Sequence, residues 1–263
     1  MLNIFIFLSL SLFSANLFAG WEIHEEVKDN FGQVTKQIIF FQDNKVKTIS
    51  GSEIVIYNLK EKTIILADTI SGYYCWGNTT EYNKGMQDYF QFLIDNLLKT
   101  NNSKKQEDQI EYLRSVKERW TKSESLAPSG LNVQVIETNK KEVISGFNSQ
   151  LYELRINNIL RFEYWISPEI NLQKEFNMGQ MFLMMQELSG GTSISGYELS
   201  PEYLELMKMG YSMRTIDHDD DVVTITMVEK AVKTKLPDSV FTVSKNFKPL
   251  SFIDFFKLKQ MEM

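Results

Sequence analysis

One cysteine (Cys75), two histidines (His24 and His218) and five prolines are all that a chain of 263 residues contains of these types. A lone cysteine excludes an intrachain disulfide or a cysteine-rich zinc site, and two histidines cannot build a three-histidine metal centre. Positive charge is also short, with 28 Lys and Arg against 34 Asp and Glu and a formal net charge of −6. Neutralising a phosphate backbone needs clustered cations in excess, so nucleic acid is excluded as a partner. Beyond the N-terminus there is no apolar run of the roughly 20 residues that a membrane-spanning helix needs, so no integral membrane protein is expected. The chain is instead rich in large apolar side chains. Hydrophobic residues make up 43%, with 18 Phe, 11 Tyr, 4 Trp and 12 Met, enough to bury a substantial core.

The first residues carry no charged side chain, and Leu2, Ile4, Leu8, Leu10, Leu12 and Phe13 form an apolar stretch broken by Ser9, Ser11, Ser14 and Asn16. This pattern predicts a secretory signal over residues 1–19, cut after Ala19, and an exported domain over 20–263.

From Val34 to Trp76, short runs rich in Ile, Val, Phe, Tyr and Thr alternate with two- and three-residue breaks such as Asp43-Asn44 and Ser50-Gly51-Ser52. Gaps that short predict antiparallel neighbours. The centres Ile38 to Phe41, Ile54 to Tyr57 and Ile64 to Ala67 are apolar at consecutive positions, so both sheet faces should be covered there. The period then changes. Met86, Tyr89, Phe90, Leu93, Ile94 and Leu97 recur at helical spacing after Asn78 and Glu81, which fit a capping box, and Ile110, Leu113, Val116 and Trp120 mark a second helix. Strands follow at 131–138, 142–145, 150–157 and 159–167, with Asn157-Asn158 as a tight turn. A third helix is expected over 175–188 and a short one from Ser200-Pro201, and strands return at 211–217, 222–230 and 240–243.

Few residues signal chemistry. Asp217, Asp219 and Asp221 could offer oxygens to a hard cation, but an EF-hand loop starting at Asp217 fails at Val222 and Val228, so a hairpin loop is the expected role. His24 is expected at the surface, Cys75 as a small buried hydrophobe, and Gly190 to Gly196 as a loop that lacks the glycine a nucleophile elbow requires. No cofactor is implied. Seven of the twelve methionines fall between Met178 and Met213. Thioethers fill irregular cores and also line surfaces for variable apolar ligands. In the strand around Trp165, alternation puts Phe162, Tyr164 and Ile166 on one face and Trp165 on the other.

Several phrases carry a resemblance. Asp43-Asn44-Lys45-Val46-Lys47, Tyr57 to Ile64, Ile144-Ser145-Gly146-Phe147 with Tyr152-Glu153-Leu154, Trp165-Ile166-Ser167 and Leu236 to Phe241 together resemble uncharacterised exported bacterial proteins related to the LolA-like superfamily of periplasmic lipoprotein carriers. Ser244 and Asn246 depart from the Pro and Gly often found in the closing phrase. The resemblance implies a periplasmic α+β protein built on a strongly curved antiparallel sheet, an unclosed half-barrel with inserted helices across its concave face. It also implies an apolar cavity and supplies no catalytic residue.

The expected function is therefore non-enzymatic: binding of a lipid acyl chain or other apolar small molecule between sheet and helices. Met178, Met181, Phe182, Met185, Trp165 and Trp120 are the lining candidates. A competing reading keeps the fold with a filled core, as an envelope structural or interaction protein that meets an envelope protein partner through its loops.

Overall fold

Breaks of two to four residues between β-rich runs leave no room for parallel crossovers, and the strands pair accordingly. The computed structural model describes residues 19–99, 104–122, 130–189, 196–218 and 222–262. Six strands come first: β1 (Gly20–Asp29), β2 (Val34–Gln42), β3 (Lys45–Ser50), β4 (Glu53–Asn58), β5 (Thr63–Asp68) and β6 (Tyr73–Asn78). Helices α1 (Thr79–Lys99) and α2 (Lys104–Lys122) form a hairpin, followed by β7 (Val133–Ile144), β8 (Phe147–Ile156) and β9 (Ile159–Ser167). Helices α3 (Met178–Leu188) and α4 (Pro201–Met209) precede β10 (Tyr211–His218) and β11 (Val223–Thr234). A two-residue strand β12 (Lys248–Pro249) and helix α5 (Phe252–Glu262) close the chain. All twelve strands join one curved, unclosed sheet in the order β12-β6-β5-β4-β3-β2-β1-β11-β10-β9-β8-β7, antiparallel except for β12 against β6. This is the α+β half-barrel architecture expected from the sequence.

Local chemistry explains the joints. The Asp43-Asn44 and Asn157-Asn158 pairs all take positive φ, between 53° and 67°, as type I′ hairpin turns demand. Asn78 and Glu81 exchange the two bonds of a capping box, Asn78 N donating to Glu81 Oε2 at 2.8 Å and Glu81 N donating to Asn78 Oδ1 at 2.9 Å. Ser200 caps α4 through Tyr203 N at 3.2 Å, with Pro201 in the first turn.

The consecutive apolar runs are buried from both sides. One face of β1 to β6 carries Trp21, Ile23, Phe41, Val46, Ile64 and Cys75 into the largest core cluster, against α1, α3, α5 and the segment 170–176. The opposite face of β2 to β6 carries Ile54, Ile56 and Ala67 into a separate cluster. Its cover is the segment from Leu236 through Phe241 to Phe247, and here the structure corrects the expected strand at 240–243: Asp238–Phe241 is a 3₁₀ turn crossing the sheet. A third cluster joins β7 to β9 with Tyr197, Tyr203 and Leu206. Cys75 is fully buried, and that burial pushes its thiol up to about 12, so it serves as an inert hydrophobe.

Other boundaries differ too. The two strands expected at 131–138 and 142–145 are one strand, β7, interrupted by an irregularity between Glu137 and Lys141. The third helix starts at Met178, because Asn177 caps it through Gln180 N at 3.0 Å; residues 170–176 form a connection that buries Ile170, Leu172 and Phe176 instead. Helix α5 was not anticipated: its Phe252, Phe255 and Phe256 are adjacent enough to read as a strand, and its partners lie far away in sequence. His24 is half-buried on β1 and pairs with Glu22 at 2.6 Å, rather than standing free at the surface.

Two buried carboxyls pull in opposite directions. At the β5–β6 turn, burial alone would raise Asp68, but Lys259 Nζ at 2.8 Å, the backbone N of Ser71 at 2.7 Å and Ser52 Oγ at 3.0 Å all donate to it. These bonds outweigh burial and hold the carboxyl far below the usual range, latching α5 onto the sheet. On β1, Glu25 lies in the core with no cation; burial raises it, against hydrogen bonds from Tyr211 Oη at 2.7 Å and Gln37 Nε2 at 2.6 Å. A depressed folded value stabilises above the unfolded value near 3.8 and is lost as pH falls through the folded one, whereas a raised value stabilises at low pH and is lost as pH climbs through it.

Lys259→Ala should therefore cost roughly 3 kcal/mol at neutral pH, measured by denaturant unfolding, and the loss should shrink toward about pH 2. Glu25→Gln should raise neutral-pH stability and flatten the decline of the wild type above the ordinary carboxylate range, read from the same unfolding curves. In α1, a methyl group on Gly85 would run into Phe252. Gly85→Ala should accordingly lower stability by about 1–2 kcal/mol, although alanine gains about 1 kcal/mol in intrinsic helix propensity.

Candidate functional site

Helix α3 spreads its apolar side chains over several surroundings. Met184 and Leu188 are its buried face, and Met178 and Met181 pack part-buried against the largest cluster. Phe182 turns to the third cluster, its ring 5.6 Å from that of Tyr203, while Met185 lies at the surface. Trp165 is buried in the largest cluster with the Arg214 guanidinium 5.4 Å from its ring centre, and Arg214 forks onto Glu142 at 2.7 and 3.0 Å. Trp120 is buried elsewhere, in the helical hairpin, with Tyr82 at 6.0 Å and Phe90 at 6.1 Å. The structure thus brings Met178, Met181 and Trp165 into one cluster and sets Phe182, Met185 and Trp120 apart from it.

A cleft of about 470 Å³ opens between α4 and the irregular part of β7, inside the range of roughly 300–1,000 Å³ typical of small-molecule sites. Val143, Tyr152, Ile166, Pro168 and Met209 line it with apolar surface, and Glu137, Lys141, Glu142, Asn148, Ser149 and Gln150 line it with polar groups, of which Ser149 is buried. The extra residues of β7 shape it. Glu137 still pairs with Tyr152 and Lys141 with Gln150, so residues 138–140 bulge out of the ladder. Gln150 holds the bulge by donating to the carbonyls of Thr138 and Lys140, and Thr138 Oγ1 donates to Leu151 O at 3.0 Å. The hydrogen bonds from Arg214 keep Glu142 below the usual carboxylate range, and burial, then the charge of Glu137, raises the Tyr152 hydroxyl. No candidate from the sequence lines this cleft. The polar run Thr138 to Glu142 between two strand-like stretches marks its place in the sequence, but that run reads equally as a loop between two strands.

In the third cluster, the ring of Tyr203 packs against those of Tyr197 and Tyr164 at 5.3 and 6.0 Å. Burial raises all three hydroxyls, Tyr203 to about 12, so they remain neutral hydrogen-bonding groups. A second cleft, about 410 Å³ between α1 and α2, is lined by Gln91, Ile94, Leu98, Arg114, Lys117 and Glu118 and is far more polar. His24 and His218 pair with Glu22 and Glu163, at 2.6 and 2.9 Å, and neither lines either cleft. Asp217 is the next-to-last residue of β10, while Asp219 and Asp221 lie outside the described residues. Among the described residues no group of three or more His, Cys, Asp or Glu stands together as a metal site, and no helix is long and apolar enough to cross a membrane. The predicted signal, residues 1–19, and the loop 190–195 also fall outside them, save Ala19.

No protein family and no curated protein matches the chain in sequence. Among solved structures it is similar to PNGF-II in a C2 crystal form, at a TM-score of 0.40 and 12% identity, over 91% of this chain and 32% of that one. It is similar to MucB at 0.35 and 5%, over 88% and 59%. The MucA/MucB complex of Pseudomonas aeruginosa gives 0.35 and 6%, over 88% and 58%. The chain thus spans about a third to three-fifths of the length of these solved proteins.

Proposed function

We propose that this is an exported envelope protein, without catalytic activity, that binds a lipid acyl chain or similar apolar molecule in the cleft between α4 and β7. The supporting observation is the cleft itself: Val143, Tyr152, Ile166, Pro168 and Met209 give its lining apolar surface beside the polar groups of β7 and β8. Each buried methylene is worth about 0.8 kcal/mol, so a chain of modest length binds there without a reacting group. The export signal over residues 1–19 and a single domain over 20–263 belong to this reading. So does the exposed Met185 of α3, which would offer a second apolar contact.

The filled-core reading rests on a different observation. Between sheet and helices the largest cluster is knit by edge-on rings, Phe41 to Phe176 at 5.2 Å and Tyr82 to Phe252 at 5.3 Å, as in an ordinary core.

Titration with a fluorescent fatty-acid analogue separates the possibilities. Met209→Asp, at the mouth of the cleft, should weaken probe binding at least tenfold with an unchanged unfolding midpoint, and Met185→Asp on α3 should leave binding alone. Loss of binding in Met185→Asp only would move the site to α3, and absence of any binding by the wild type would leave the interaction-protein reading.

A further inference from the structure

Antiparallel strands return every second turn to the same edge of a sheet. The turns after β1, β5 and β8 share one edge, and each carries an exposed apolar residue: Phe31 at 72%, Ile70 at 83% and Ile159 at 61% exposure. Met261 joins them at 78%, because Lys259, one helical half-turn earlier in α5, reaches Asp68 and Glu53 at that edge. Ile70, Met261 and Phe31 are the three most exposed large hydrophobic side chains among the described residues, and all lie at this one end of the molecule.

The turns hold these side chains out and leave their backbones satisfied. Asp29 Oδ1 accepts from Phe31 N and Gln33 N, both at 2.9 Å. Asp68 Oδ1 accepts from Ile70 N at 2.9 Å and Ser71 N at 2.7 Å. Ile159 follows the tight Asn157-Asn158 turn. A tip of this kind can leave water without carrying an unpaired N–H with it.

Spacing selects the partner. In the strand order, the β5–β6, β1–β2 and β8–β9 hairpins are each four strands apart, roughly 19 Å along the sheet at about 4.8 Å per strand. Isolated points so far apart do not form the contiguous apolar patch that the buried core of a protein interface requires. Being set along a curved edge, they define a plane, and a flat fluid apolar medium accepts them at any separation. The net charge of −6, and the mixture of Asp29, Asp68 and Asp217 with Lys28 and Lys259 at this edge, give no cationic excess to draw anionic headgroups, so the apolar tips supply the driving force.

We propose that this edge docks on a lipid bilayer surface, with Phe31, Ile70 and Ile159 inserted below the headgroups as three anchors. The docking is independent of the cleft, which lies at the opposite ends of the strands, between Pro168 after β9 and Met209 before β10.

Co-sedimentation of the full chain with phosphatidylcholine vesicles, and with phosphatidylethanolamine–phosphatidylglycerol vesicles, tests this. The wild type should pellet with both, insensitive to salt. Phe31→Ser, Ile70→Ser and Ile159→Ser should each reduce partitioning roughly tenfold and together abolish it, because each removes one large apolar side chain. Trp76→Ser, equally exposed at 61% but away from the edge, should change nothing. An Ile70→Cys chain labelled with an environment-sensitive dye, selective because Cys75 is buried, should shift to the blue on adding vesicles; this readout holds even if the triple variant fails to fold. The proposal is overturned by a wild type that does not pellet, by pelleting only with anionic vesicles and only at low salt, by a folded triple variant that pellets normally, or by a dye that does not respond.

Discussion

The fold depends on covering a sheet from both sides with a single chain. Strands β2, β4 and β5 are apolar in consecutive positions, so neither face of the sheet around them can be left to water. The helices cover one face. The other is covered by the stretch after β11, which is tied down where it begins: Gln42 Nε2 donates to Leu236 O at 3.0 Å, and Leu236 N donates to Gln42 Oε1 at 2.9 Å. Lys47 Nζ then donates to Val240 O at 2.9 Å. Having crossed behind the sheet, the chain pairs briefly with β6 and sends α5 back over the front, where Lys259 meets Asp68. One segment thus seals both sides of the same five strands, and burial of the two apolar faces and of a charge pair rests on it together.

Much of this could be read in the sequence because it is local. Turn residues with positive φ, a reciprocal Asn–Glu cap, a serine before a proline and a two-residue spacing of Val and Ile all act within a few positions. The consecutive apolar runs even announced two-sided burial. What escaped was non-local. Phe241 looks like part of a strand until its partners Ile54 and Ala67 are known, and the aromatics of α5 look the same until Tyr82 and Gly85 are placed opposite them. The cleft escaped for a related reason. A stretch of polar residues inside one strand is indistinguishable from a loop between two, until the pairing of Glu137 with Tyr152 and of Lys141 with Gln150 shows that the ladder resumes.

The methionines and aromatics illustrate the difference between knowing that a chain is rich in grease and knowing where it goes. Three clusters share it, on the front, on the back and under α4. Helix α3 sits across two of them, which is why residues three and four apart on it meet different neighbours. Composition counts the apolar surface but not the partition, and it is the partition that leaves a cleft beside α4.

The strap behind the sheet also sets a timetable. Strand β1 sits between β2, its neighbour in sequence, and β11, some two hundred residues downstream, and both faces of β2 to β6 wait for segments later still. A growing chain can close the cluster under α4 once Met207 exists, but it cannot complete the clusters on the front and back of the sheet until nearly its last residue, and loop-closure entropy makes such late, distant pairings slow. The two faces of β2 to β6 thus stay incompletely covered until the chain is nearly finished, and its last segment is the closing step.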